Sequence, residues 1–186
     1  VVSQIARTTA NTGTAWASTQ TGRLFISENA NAAAGSVIWN RLDANGANHD
    51  PGRFITDIAI DPANPRHAWV AYSGYNFNTP SQPGHIFSVT WDGVNPATFV
   101  NITNNLPDIP ITSVVVDPVT GDLYLGSDFI VFRKAANQQN NQQVWDVAGM
   151  GFPLVEVPKL TINPSAGFLY AATHGLGAWI LPLYGR

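Results

Sequence analysis

One motif recurs four times along this chain, and only a repeat fold accommodates it. The segment from Val2 to Trp16 aligns without a gap on Ile55 to Trp69, placing Ile5 over Ile58, Asn11 over Asn64 and Ala15-Trp16 over Ala68-Trp69. Val114-Val115-Val116-Asp117-Pro118 with Leu123-Tyr124-Leu125 forms the third copy, and Leu160-Thr161-Ile162-Asn163-Pro164 with Leu169-Tyr170-Ala171 the fourth. The aromatic markers Trp16, Trp69, Tyr124 and Tyr170 lie 53, 55 and 46 residues apart. A period of about 50 residues made of short strands indicates propeller blades rather than a helical solenoid.

Each copy divides into strands. The first is apolar, as in Ile55 to Ile60, and ends at an Asp-Pro or Asn-Pro turn such as Asp61-Pro62 or Asp117-Pro118. Proline fixes φ and the acidic or amide side chain bonds the turn backbone, so this is turn chemistry before it is active-site chemistry. The aromatic marker sits on the second strand. The third reads Leu24-Phe25-Ile26, Ile86-Phe87-Ser88-Val89, Ile130-Val131-Phe132 and Ala178-Trp179-Ile180-Leu181, and the outermost Trp39 to Leu42, Phe99 to Ile102 and Val144 to Val147. No window sustains a helical period. The fold expected is therefore all-β, a β-propeller of about four antiparallel blades at roughly 1–50, 51–106, 107–151 and 152–186, the last without its outer strand. An uncovered strand edge is a hazard that proteins normally cover. The chain is thus expected to be about the C-terminal half of a larger, six- to eight-bladed ring. The remaining blades would come from the same precursor, a companion chain or a second copy. A complete four-bladed ring is the alternative.

The last copy, Gly167-Phe168-Leu169-Tyr170-Ala171-Ala172-Thr173-His174-Gly175-Leu176-Gly177-Ala178-Trp179, resembles the closing blade of the sialidase-like, Asp-box propellers. That group includes oligoxyloglucan-type glycoside hydrolases, sortilin-type receptor domains and photosystem assembly factors. Its Asp-box turn, Ser-x-Asp-x-Gly-x-Thr-Trp, has its nearest relative in Ser27-Glu28-Asn29 followed by Gly35-Ser36-Val37-Ile38-Trp39, with Asn29 in place of the Asp. The later copies keep only Trp91-Asp92-Gly93 and the polar run 135–143. The resemblance implies a fold rather than an activity, because the group holds both enzymes and non-enzymes.

Composition narrows the function classes. Nine basic and twelve acidic residues give a formal charge of -3, so no basic surface exists to neutralise phosphates and nucleic acid is not an expected partner. No cysteine is present, which removes disulfides, thiolate metal sites and cysteine nucleophiles together. No apolar run reaches the ~18 residues of a membrane span. Only 11% of residues are charged, and with abundant Asn, Thr and Ala this composition suits a secreted or periplasmic protein.

In a propeller the functional mouth is formed by loops joining strand four to the next strand one and strand two to strand three. The stretch from Gly74 to His85 exceeds a hairpin loop, and long loops are often functional. Its Tyr75 and Phe77 can stack on a sugar or fold back over the base of the loop. Asp43, Asp50, Asp108, Asp128 and Glu156 fall on the same side, and glycoside hydrolysis needs two carboxylates about 5 to 9.5 Å apart. The alternative for each is a solvated or turn-capping role. His49, His67, His85 and His174 lie in different blades without zinc-ligand spacing, and no calcium-loop pattern occurs, so neither metal nor cofactor is expected. His174 faces either the channel or its own turn backbone. The residues expected to contact a ligand are Asp50, Tyr75, Phe77, His85, Asp108, Glu156 and His174. Trp16, Trp39, Trp69 and Trp145 are expected between blades, and 135–143 as a solvated connector. The function expected is that of an exported propeller module binding a glycan or a protein. The alternative is the C-terminal half of a glycoside hydrolase-like propeller.

Overall fold

A computed structural model describes residues 1–44, 50–137 and 144–183. Among the described residues, fifteen strands form four antiparallel sheets arranged as a four-blade β-propeller. Blade 1 holds β1 (Val2–Arg7), β2 (Ala15–Thr19), β3 (Leu24–Ser27) and β4 (Asn40–Arg41). Blade 2 holds β5 (Ile55–Asp61), β6 (Asn64–Tyr72), β7 (Ile86–Thr90) and β8 (Thr98–Asn101). Blade 3 holds β9 (Ile111–Val116), β10 (Leu123–Ser127), β11 (Val131–Lys134) and β12 (Asp146–Val147). Blade 4 has three strands among the described residues: β13 (Lys159–Asn163), β14 (Phe168–Thr173) and β15 (Gly177–Pro182). Among the described residues no helix is long and apolar enough to cross a membrane.

Strand alternation sends each blade's two faces to different neighbours. In blade 1, Ala6, Trp16 and Ile26 share one face and pack with Ile58, Val70 and Phe87 of blade 2. The Trp16 indole Nε1 also donates to the Pro65 carbonyl, at 2.8 Å. Ala71, Ile86, Leu125 and Trp145 fill the next junction, and Tyr124, Val131, Leu160 and Leu169 the third. A second device repeats along the inner strands. Thr56 Oγ1 donates to the Ile111 carbonyl at 2.7 Å, and the equivalent Thr112 Oγ1 donates to Val157 at 2.6 Å. Gly126 is required at that crossing, because a Cβ there would lie 2.6 Å from the Val157 oxygen. Asp57 ties three blades together: Oδ2 accepts from Ser113 Oγ and the Val114 N–H, while Lys159 Nζ reaches both carboxylate oxygens at 2.8 and 2.9 Å. All four inner strands line an open groove of about 460 Å³.

Two expectations about packing change. Trp16 and Trp145 are buried between blades, but Trp39 is 43% exposed on the outer rim of blade 1. Its counterpart Trp145 has the carbonyl of Ile102 in blade 2 to bond, at 2.8 Å. Trp39 instead lines an open groove with Trp91, Val94 and Pro96 of blade 2. The turn after β5 is also tighter than the sequence suggests, since Asn64 and Pro65 already belong to β6 and Asp61 pairs with Asn64. Of the low-complexity run, 138–143 lies outside the described residues.

Candidate functional site

The 74–85 insertion leaves the end of β6 and returns into β7, and two side chains from neighbouring loops hold it in place. Arg53 precedes β5 and is 7% exposed. Its Nη1 donates to the Tyr75 carbonyl at 3.2 Å and to Thr79 Oγ1 at 2.9 Å, and its Nη2 donates to the Gly84 carbonyl. Asp108, from the loop entering blade 3, accepts the Asn76 N–H and the His85 ring Nε2 on one oxygen, both at 2.9 Å. Inside the loop, Asn76 Oδ1 accepts from the Gly84 N–H at 2.7 Å. Gly84 has φ of 133°, and a Cβ there would sit 2.5 Å from the Asn101 amide nitrogen. Glycine is the residue that fits both the backbone angle and the space.

This frame presents an aromatic surface. Tyr75 and Phe77 stack with centroids 6.3 Å apart and planes 25° from parallel. Phe77 is 77% exposed and Tyr75 39%, so neither covers the base of its loop. Asn76 and Asn78 flank them on the same short turn.

Beneath the platform Arg53 and His85 are buried, whereas Asp108 is 47% exposed. His85 is fully buried, and burial together with the Arg53 charge pushes its pKa down against the pull of Asp108. A neutral ring that donates Nε2–H to Asp108 leaves Nδ1 as an acceptor. Arg53 Nε and His85 Nδ1 are buried polar atoms without a protein partner among the described residues. Asp50 accepts the Tyr72 hydroxyl at 2.9 Å and the Gly52 N–H at 3.1 Å. Burial pushes the Asp50 carboxyl up, and the fully buried Tyr72 phenol lies well above its ordinary range, also chiefly through burial.

The structure thus joins His85 and Asp108 by hydrogen bonds to the turn that carries the stacked Tyr75 and Phe77, with Asp50 beside it through Tyr72 and the charge of Arg53. Glu156 and His174 form a separate pair at the mouth of blades 3 and 4. The His174 Nδ1 lies 2.9 Å from the Glu156 carboxylate, and the side chains are 77% and 43% exposed. The His174 ring therefore meets a carboxylate and not the turn backbone; its own N–H bonds the Glu156 carbonyl. Asp128 belongs to this second group, its carboxyl raised by burial and by the Glu156 charge. Asp43, by contrast, caps the Leu24 N–H and pairs with Arg41. His49 lies outside the described residues. No group of three potential metal ligands occurs among the described residues.

Arg53 and Tyr72 are the components that sequence inspection misses. Arg53 precedes a strand in no recognisable pattern, and Tyr72 reads as one more core aromatic. The sole hint is that an arginine adjoins an apolar strand in a chain with 11% charged residues. Comparison of the chain with protein-family models gives no match, and comparison with curated proteins gives none either.

Proposed function

We propose that this propeller is a binding module that takes a glycan on the Tyr75–Phe77 face, with its outer blade faces completed by further blades of the same repeat. The observation that carries the proposal is the exposed, stacked aromatic pair held on a turn fixed by Arg53 and Asp108. The C–H face of a pyranose ring packs against the negative face of an aromatic ring, and flanking amides supply hydroxyl partners. The frame's bonds to the loop backbone pre-organise the turn, so little ordering cost remains at binding. The carboxylates support binding over hydrolysis. Asp108 holds the Asn76 N–H and His85, and Asp50 holds Tyr72 and the Gly52 N–H, so both serve the scaffold. The resemblance to Asp-box propellers, a group containing glycoside hydrolases, is compatible with a sugar ligand, and the composition with an exported location.

Affinity electrophoresis in gels containing xyloglucan, xylan or a soluble cellulose derivative tests the proposal. The wild-type chain is expected to be retarded in at least one gel, and F77A to be retarded less. Equal migration of wild type and F77A in every gel overturns it. Release of reducing sugar by wild type, lost in D50N, would replace binding with glycoside hydrolysis.

A further inference from the structure

Equivalent positions in the four blades expose an asymmetry. Ile5, Ile58, Val114 and Leu160 occupy the same place on the inner strand and face the preceding blade. Ile58, Val114 and Leu160 are 6%, 2% and 1% exposed, whereas Ile5 is 65% exposed. Phe25 lies two strands out on the Ile5 face and is half-buried, while its equivalent Phe87 is fully buried. The opposite end of the propeller mirrors this. Trp16 and Ile26, which face the following blade, are fully buried. Their counterparts in blade 4 are Tyr170, half-buried, and Ile180, 57% exposed. Among the described residues, buried apolar clusters fill the junctions of blades 1–2, 2–3 and 3–4, and none joins blade 4 to blade 1.

The two bare faces are complementary in kind. Blade 4 presents the aromatic-and-isoleucine face that blade 1 uses to receive blade 2. Blade 1 presents the Ile5–Phe25 face that corresponds to the Ile58–Phe87 face of blade 2. We infer that these faces dock on each other between two copies of this chain, blade 4 of each receiving blade 1 of the other, to close an eight-bladed ring. Two copies offer both faces twice, and the contact is the continuation of a junction that the chain already makes three times. A head-to-tail contact of this kind makes a closed ring when its rotation closes, and four blades from each of two copies make the eight. The inference rests on the proposal that further blades cover these faces, and it names their source.

Light scattering on the eluting chain tests it. The expected mass is about 40 kDa, twice the 20.0 kDa of one chain, falling to one chain in I5E and in I180E. Both substitutions sit at exposed positions of the single chain, so its folding is preserved. V119E, at a 66% exposed valine on the turn after β9 of the central blade 3, keeps the double mass. A double mass that survives I5E and I180E overturns the inference, as does a single mass up to ~100 μM. A covalent tandem of two copies separates this failure from that of ring completion itself. If the single chain stays monomeric but the tandem melts higher, and I180E in the first copy abolishes the gain, further blades are needed and a free second copy is not their source. If the tandem melts with the single chain, both readings fall.

Discussion

The loop face carries two histidine–carboxylate pairs with the same 2.9 Å separation and similarly exposed carboxylates, but with histidines in opposite surroundings. His85 is fully buried against Asp108, whereas His174 is 77% exposed against Glu156. The buried pair belongs to a frame that includes Arg53, Asn76 and the backbone of the insertion, and it supports an exposed aromatic surface. The exposed pair bonds only its own turn and neighbouring loop. Distance alone therefore does not identify a functional group. What distinguishes the blade 2–3 mouth is that its polar groups are committed to holding a shape.

The largest effect is expected from removing the centre of that frame. Arg53→Ala leaves the Tyr75 and Gly84 carbonyls and Thr79 Oγ1 without their donor, and is expected to cost about 2–4 kcal/mol of stability and abolish glycan retardation. Denaturant unfolding measures the first effect and affinity gels the second. His85→Ala is expected to cost less, about 1–3 kcal/mol, because one part-buried bond to Asp108 is lost. His174→Ala, at an exposed pair, is expected to stay within about 0.5 kcal/mol of wild type. Comparable losses for the two histidine variants in parallel unfolding curves would erase the contrast.

The buried pair also carries a pH signature of smaller size. The folded-state pKa of His85 is lowered, so below the ordinary value near 6.5 the unfolded chain binds a proton that the folded chain does not. The stability contributed by neutral His85 is present above that value and lost as pH falls through the lower, folded-state pKa. Melting temperature is expected to fall from pH 7 to pH 5, with part of that slope missing in His85→Gln. An identical slope in wild type and His85→Gln would show that the ring does not titrate in this way.

Much of the fold is legible in the sequence because blade strands alternate with period two and carry an aromatic marker at a fixed place. The insertion is equally legible by its length, which singles out Tyr75, Phe77 and His85. Arg53 is not, because its partners lie 22 to 31 residues further along and become neighbours only when β6 and β7 pair. Trp39 carries the opposite lesson. It has the same local pattern as Trp145, yet it lies in an open groove beside Trp91 of blade 2 while Trp145 is buried against the Ile102 carbonyl, and no local pattern encodes that difference. Burial of His85 and Arg53 escapes sequence reading because it is set by the neighbouring loops: Asp108 and Glu156 occupy equivalent loops, and the insertion lies beside Asp108.

The most direct measurement compares F77A and H174A with wild type in the polysaccharide gel that retards the chain most. The account predicts affinity about 3- to 10-fold weaker in F77A, the scale of one aromatic stacking contact, and unchanged affinity in H174A. Loss of retardation in H174A with full retention in F77A would move the site to the mouth of blades 3 and 4 and contradict the account.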